Sequence, residues 1–325
     1  MKIPTLFNPS NDMALAANVR QYFPPRRIQQ MEEDLQGLSR LWDEGPWGWS
    51  LATKQRYLRM GITESDLPSD EWLAEVRRLS GRAFAVEYHK KMSSQQPSPE
   101  NESLLLPCKA RFCKSMASLP FGKDETQKFI CKAPWSSSGR GNFIVNATTA
   151  SAPTFQSLVS ESAILQRIER IIRDQGGIVV EPFYEGKALD FAMEFWVSDQ
   201  GTKVLGYSVF EADEMGHYCG NYVESQEALT QRINLPADLL RSLIDYHKQQ
   251  LSTLSYRGPV GIDMMKLSDG RVHPLVEINF RMTMGLLALM LFEKGIRADQ
   301  FLTPNRTHGF VSSIRQGRLV IDYLP

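Results

Sequence analysis

The sequence carries no surplus of charge: 37 Lys and Arg balance 37 Asp and Glu over 325 residues. A protein that coats nucleic acid needs a basic face to displace the counterions of a polyanion, so a histone-like role is not expected. Cysteine is scarce, with four residues, Cys108, Cys113, Cys131 and Cys219. They make no CxxC pair and lack the density of a secreted disulfide scaffold, so free thiols are expected. Long apolar runs are missing too. The longest near the C-terminal end, Gly285–Phe292 (GLLALMLF), is far short of the roughly 20 residues that cross a bilayer. Pro4, Asn8 and Pro9 interrupt the N-terminal segment before it can form a secretory core. The expectation is a soluble cytoplasmic protein with no nucleic-acid or membrane partner.

Several catalytic signatures are absent as well. No GxGxxG follows the first apolar segment, and neither GxxxxGK[ST], HExxH nor GxSxG occurs. Gly216–Gly220 (GHYCG) sets a His near a Cys, but neighbours in sequence say little about a thiol nucleophile and its base.

What is present is an interleaving of helix and strand patterns, which gives an α/β or α+β class. Lys2–Phe7 reads as a short strand, followed by a loop and helix cap at Asn8–Asp12. Helical spacing runs over 27–42, over 70–79 with Ser69 placed to cap it, and over 82–92. The polar stretch 93–103 (SSQQPSPENES) reads as a linker. Beyond it come strands at 129–133 and 143–145 around the loop PWSSSGRG, a helix at 161–175, strands at 178–181 and 189–197, and a helix at 236–253. Strands at 259–266 and 272–280 follow, joined by Ser268-Asp269-Gly270.

Three clusters carry chemistry. In the last two strands, alternation puts Glu277, Asn279 and Arg281 on one face, and a tight connection sets Asp263 opposite Glu277. Two facing carboxylates in apolar strands repel and lose hydration. A divalent cation relieves both, and an all-oxygen set suits Mg²⁺ or Mn²⁺; a structural Asp–Arg–Glu network is the plainer alternative. Lys132 inside FICKA is costly unless an anion meets it, and the Ser- and Gly-rich loop behind it can bring backbone N–H groups close to a phosphate. In the segment 179–195, Glu181 ends an apolar strand, and Asp190 and Glu194 recur on one face of the next.

In this order the three clusters resemble the ATP-grasp superfamily over roughly residues 80–290. The resemblance implies an N-terminal α/β domain (1–93), a small lid (94–187) and a C-terminal mixed-sheet catalytic unit (188–325). It implies ATP phosphates held by Lys132 and by the loop residues Ser136, Ser137, Ser138, Gly139 and Gly141, with Arg82 as a further phosphate contact. Adenine would meet Glu181 and the Pro182–Tyr184 backbone, including Phe183 and Tyr184, and Asp190 (or Glu194) would meet the ribose. Asp263, Glu277 and Asn279 would hold the metal, and Arg281 the substrate carboxylate or acyl-phosphate. The implied activity is ATP-dependent ligation of a small-molecule carboxylate to an amine or similar nucleophile, with a homodimer as the candidate assembly. A small-molecule kinase and a nucleotide-binding protein without turnover are the alternatives. Gly261 stands where some dipeptide ligases of this family carry an arginine, which argues against ligation of the D-alanine type. FNPSNDMALA matches no substrate domain.

Overall fold

A computed structural model describes residues 3–39, 42, 44–95, 103–121, 128–136, 141–146, 162–213, 218–295, 310–315 and 318–323. Five helices occupy the N-terminal third: α1 (Asn11–Ala17), α2 (Arg26–Gln36), α3 (Leu51–Arg59), α4 (Asp70–Leu79) and α5 (Arg82–Ser94). Ser69 caps α4 as its sequence predicts, its hydroxyl accepting the Trp72 N–H at 3.2 Å, and Ser50 does the same for α3 from Thr53. The helical spacing expected to reach residue 42 stops at Gln36, where Gly37 follows.

The strand expected at Lys2–Phe7 reduces, among the described residues, to an isolated parallel bridge between Leu6 and Pro46. Pro4 supplies no N–H to a ladder, and the chain turns into α1 straight afterwards. Asn8 takes over the role of a pairing residue. Its amide donates to the Gly48 carbonyl at 2.9 Å and its carbonyl accepts the Gly48 N–H at 3.3 Å.

Two sheets follow. The small one holds β1 (Arg111–Cys113), β2 (Lys128–Lys132), β3 (Asn142–Asn146) and β4 (Ile178–Pro182) in the order β1-β4-β2-β3. α6 (Ser162–Gln175) covers it, burying Ile168 and Ile171 against Phe129, Cys131 and Val180. The large sheet holds β5 (Lys187–Ser198), β6 (Gly201–Ala212), β7 (Tyr218–Tyr222), β8 (Gly258–Leu267), β9 (Val272–Asn279), β10 (Phe310–Arg315) and β11 (Arg318–Tyr323). Its order is β10-β11-β7-β6-β5-β8-β9.

A mixed sheet is the sequence expectation, but every pairing within the two sheets is antiparallel among the described strands. Short turns explain two of these pairings. β5 to β6 and β8 to β9 are joined through Gly201 (φ 116°) and Gly270 (φ 88°), and a tight hairpin can only be antiparallel.

The back of the large sheet is the main core. Phe191, Met193 and Phe195 of β5 and Ile262 and Met264 of β8 are fully buried there, under α5 and α8 (Ala237–Ser252). α7 (Gln226–Ile233) adds Leu229 and Ile233. The apolar run 285–292 lies in a helix, α9 (Met284–Glu293), buried on most sides. Among the described residues no helix is long and apolar enough to cross a membrane.

A second core packs Phe7, Leu35 and Trp47 onto Met282, Leu286, Leu287 and Leu291. Backbone bonds tighten it: Trp47 N–H to the Leu6 carbonyl and Met282 N–H to the Trp47 carbonyl, both at 2.7 Å. The N-terminal loop is thereby held against the end of β9, and this contact completes the site.

Candidate functional site

The front face of the large sheet carries the polar side chains. The registers set Ala192 opposite Asp263, Glu194 opposite Gly261, Asp263 opposite Glu277, and Gly261 opposite Asn279. With alternate residues sharing a face, Asp190, Glu194, Asp263, Glu277 and Asn279 converge on one side while the apolar set fills the other. The pairing of Asp263 with Glu277 read from the sequence is the one observed.

Each acid has a different neighbour. Glu277 meets Arg82, whose Nη2 lies 2.7 Å from Oε1. Arg82 is 3% exposed and opens α5, and its Nη1 also donates to the Ala133 carbonyl and the Ser136 hydroxyl, each at 2.6 Å. It therefore ties α5, the end of the small sheet and β9 together. Among the described residues Asp263 has no cation of its own, and it accepts from the Asn279 amide at 3.1 Å. Burial, with Glu277 and Glu194 nearby, pushes its carboxyl up to about 8. The sequence alternative of a network built on Arg281 does not describe Glu277, because Arg82 is its partner.

Glu194 is the most enclosed acid at 1% exposure. It accepts from Ser208 at 3.0 Å and Thr283 at 2.9 Å, and burial raises its carboxyl to about 7. Gly261 lies against this group: a Cβ there would sit 2.9 Å from Glu194 Oε2 and 2.6 Å from Thr283 Cγ2. A larger residue at 261 has no room.

Lys132 finds its anion in Glu181, and His273 stands 3.6 Å from the same carboxylate. Ile130 pairs with Glu181, so Lys132 and Glu181 are diagonal neighbours on one face of the small sheet. Burial alone would raise the Glu181 carboxyl, but Lys132 and His273 hold it well below the carboxylate range. The N–H of Phe183 is bonded to the Lys128 carbonyl at 2.8 Å and Pro182 has none. The segment after Glu181 therefore presents carbonyls more than donors. Asp190 is paired with Lys187 at 2.7 Å.

Arg281 turns to the front face as alternation predicts, with Nη2 2.8 Å from the Asn279 Oδ1. Its main partner is Asp12 of α1, held in a two-point pair with Nε and Nη2, both at 2.8 Å. This residue of FNPSNDMALA is one that sequence reasoning did not place, since nothing local signals a partner 269 positions away.

A cavity of about 870 Å³ runs between the two sheets. Lys132, Ser136, Glu181, Phe183 and Tyr184 line it from the small sheet, and Asp190, Asp263, Glu277, Asn279 and Arg281 from the large one. Gly141 stands just behind this wall, its carbonyl accepting the Ala133 N–H at 3.2 Å. Ser137, Ser138 and Gly139 lie outside the described residues. Asp263, Glu277 and Asn279 form an oxygen-only donor set on one face, which fits a hard divalent cation. Among the described residues no group of three or more His, Cys, Asp or Glu could hold a metal by itself.

No protein-family model matches the sequence, and no curated protein matches it. Solved structures do. Pyruvate carboxylase from Rhizobium etli aligns over 76% of this chain and 20% of its own, with a TM-score of 0.51 at 14% identity. N5-carboxyaminoimidazole synthetase from Staphylococcus aureus, complexed with ADP, aligns over 64% and 46% (TM-score 0.40, 12% identity). L-amino acid ligase from Bacillus licheniformis aligns over 74% and 48% (TM-score 0.43, 13% identity). The chain spans about half the length of these last two structures. The fold is the ATP-grasp fold, of the α+β class.

Proposed function

We propose that the chain is an ATP-dependent ligase that activates a small-molecule carboxylate as an acyl-phosphate for attack by an amine or similar nucleophile. One observation carries the reading. A single cavity is lined by Lys132 of the small sheet and by Asp263, Glu277, Asn279 and Arg281 of the large one. Lys132 on one wall and the side-chain oxygens of Asp263, Glu277 and Asn279 on the other are the cation and hard donors that a polyphosphate with its metal requires.

In this reading residues 1–93, 94–187 and 188–325 are the N-terminal, lid and catalytic units, and ATP lies between the last two. Lys132 and the Ser136 hydroxyl hold phosphate oxygens, and Arg82 fixes the Glu277 carboxylate. Adenine lies at the carbonyl-rich segment after Glu181, with Asp190 at the ribose. Asp263, Glu277 and Asn279 would hold Mg²⁺ or Mn²⁺, which supplies charge neutralisation of the phosphates. Arg281 orients the substrate carboxylate. A carboxylate oxygen attacks the γ-phosphorus and ADP leaves; the nucleophile then attacks the acyl carbon and inorganic phosphate leaves. The chain's contribution is positioning and electrostatic stabilisation.

The test is a screen of small carboxylates and amines for ATP-dependent ADP formation, with mass spectrometry of the product. An amide or similar conjugate supports the ligase. A stable phosphorylated product formed without a nucleophile would make the protein a kinase, and Mg-ATP binding with no ADP from any pool would make it a binding protein.

A further inference from the structure

The cavity has lining residues that the nucleotide reading does not use. Pro9, Ile28, Met31, Trp47 and Met284 add apolar surface to its lining, and Met31, Trp47 and Met284 share one core cluster. Asp12 and Arg281 line the same cavity as a closed ion pair. Their side chains are 13% and 16% exposed, so the pair is largely out of water yet accessible from the cavity.

We propose that Asp12 and Arg281 together recognise a zwitterion, an α-amino acid with an apolar side chain, which is the carboxylate substrate of the ligase reading on which this inference rests. The substrate carboxylate takes the Arg281 guanidinium, its α-ammonium takes Asp12, and its side chain lies against the wall of Ile28, Met31 and Trp47.

The argument is one of charge balance. Arg281 spends Nε and Nη2 on Asp12, Nη2 also on Asn279, and Nη1 on the Met282 carbonyl. A carboxylate without an ammonium must compete with Asp12 for that guanidinium. It would leave a mostly buried aspartate without a partner, and an unpaired buried charge is strongly unfavourable. A zwitterion supplies one charge for each charge it displaces. The pair stays neutral overall, and no group is left unsatisfied.

Side-chain preference follows from what else lines the cavity. Among the described residues its other Lys side chains are Lys132 and Lys187, both already paired, with Glu181 and Asp190. Among the described residues nothing on the apolar wall would meet a second carboxylate, so an acidic side chain is disfavoured.

Asp12 is also held in place rather than hanging free. Asn8 is bonded both ways to Gly48, and the Ser10 hydroxyl donates to Glu32, which Arg56 pairs at 3.0 Å. Four residues before it and two residues before it, the loop is anchored, which presents the carboxylate at little ordering cost.

The experiment is calorimetric titration of the full chain with L-leucine, L-phenylalanine, L-glutamate, 4-methylpentanoate (leucine without its ammonium) and leucinamide (leucine without its carboxylate). Each is run with and without Mg-ADP. Leucine and phenylalanine are expected to bind at least tenfold tighter than the other three. Asp12→Asn is expected to erase the preference for leucine over 4-methylpentanoate, with a thermal melt reporting that it is folded. Met31→Trp, which fills apolar space in the cavity, is expected to weaken leucine and phenylalanine binding at least tenfold.

If 4-methylpentanoate binds as well as leucine, or if no amino acid binds in either condition, the inference is overturned. The second result alongside Mg-ADP binding would leave the ligase reading standing. Leucine binding without any binding of Mg-ADP would support the zwitterion site and sink the ligase reading instead.

Discussion

Arg82 reaches Glu277 through one guanidinium nitrogen, 2.7 Å from Oε1 and 2.8 Å from Oε2, across 195 positions of sequence. The first residue of α5 thus supplies the positive charge for one of two facing acids, and Asp263 is left with an amide.

This asymmetry predicts unequal effects on the protein without nucleotide. Glu277→Gln strands a buried guanidinium, and breaking such a pair costs about 1–3 kcal/mol once the exposure of Glu277 is allowed for. Asp263→Asn replaces a carboxyl that burial and its neighbours keep protonated in the folded protein, and it is expected to leave the thermal midpoint unchanged or raised. Melts of both variants at pH 7 check this. Equal losses would mean that the two acids share one partner.

A pH dependence follows from the raised acids. Asp263 and Glu194 are pushed up to about 8 and about 7 from 3.8 and 4.5. By pH 6.5 the unfolded chain has lost these protons while the folded protein retains them, so raising the pH toward 8 releases protons from the folded state and lowers stability. The buried His89 and His247 work in the opposite sense. Burial depresses them to about 4 and about 3 from 6.5, so their stabilisation is lost only as the pH falls below 6.5. Urea unfolding at pH 6.5, 7.25 and 8 should show falling stability, and Asp263→Asn should flatten most of the slope.

Lys132 and Glu181 make opposite predictions for nucleotide. Lys132→Met is expected to weaken Mg-ATP binding tenfold or more, about 1.4 kcal/mol. Glu181→Gln removes the competing anion and is expected to tighten Mg-ATP binding even as it lowers the melting temperature. Calorimetry on the two variants decides; weaker binding in both would give Lys132 a purely structural role.

Gly48 controls the position of Asp12. A Cβ there would lie 2.6 Å from Asn11 Cγ, so Gly48→Ala must push the start of α1 away. The expected loss is about 1–3 kcal/mol, the usual cost of overpacking, and a melt measures it.

Much of the architecture was legible because it is local. The cap at Ser69, the strands around Asp263 and Glu277 and the helix over 162–175 follow from side-chain type and period. The strand Gly201–Ala212 escaped notice because its front face lines a cavity, which blurs the alternation of buried and exposed positions. In the site, the facing acids could be read from alternation. Arg82 was reachable only through resemblance, and Asp12 not at all, because its placement depends on Trp47 bridging Leu6 and Met282 by backbone bonds. No period or motif encodes such a three-segment contact.

The hairpin of β8 and β9 sets a further constraint. Next to its turn, Lys266 faces Val272 and Met265 faces His273; past an irregularity spanning Pro274, Asp263 faces Glu277. Extending the near-turn register without that irregularity would set Asp263 opposite Leu275 and Glu277 opposite Gly261. Every side chain would stay on its own face, because a slip of two preserves the pleat. A two-residue deletion near Pro274 would remove the irregularity and still set Asp263 opposite Glu277, whereas keeping both residues in a regular ladder would part the acids. Chain length between turn and site is therefore a heritable quantity in its own right: the two extra residues of β9 are compatible with facing acids only while they stay out of the ladder.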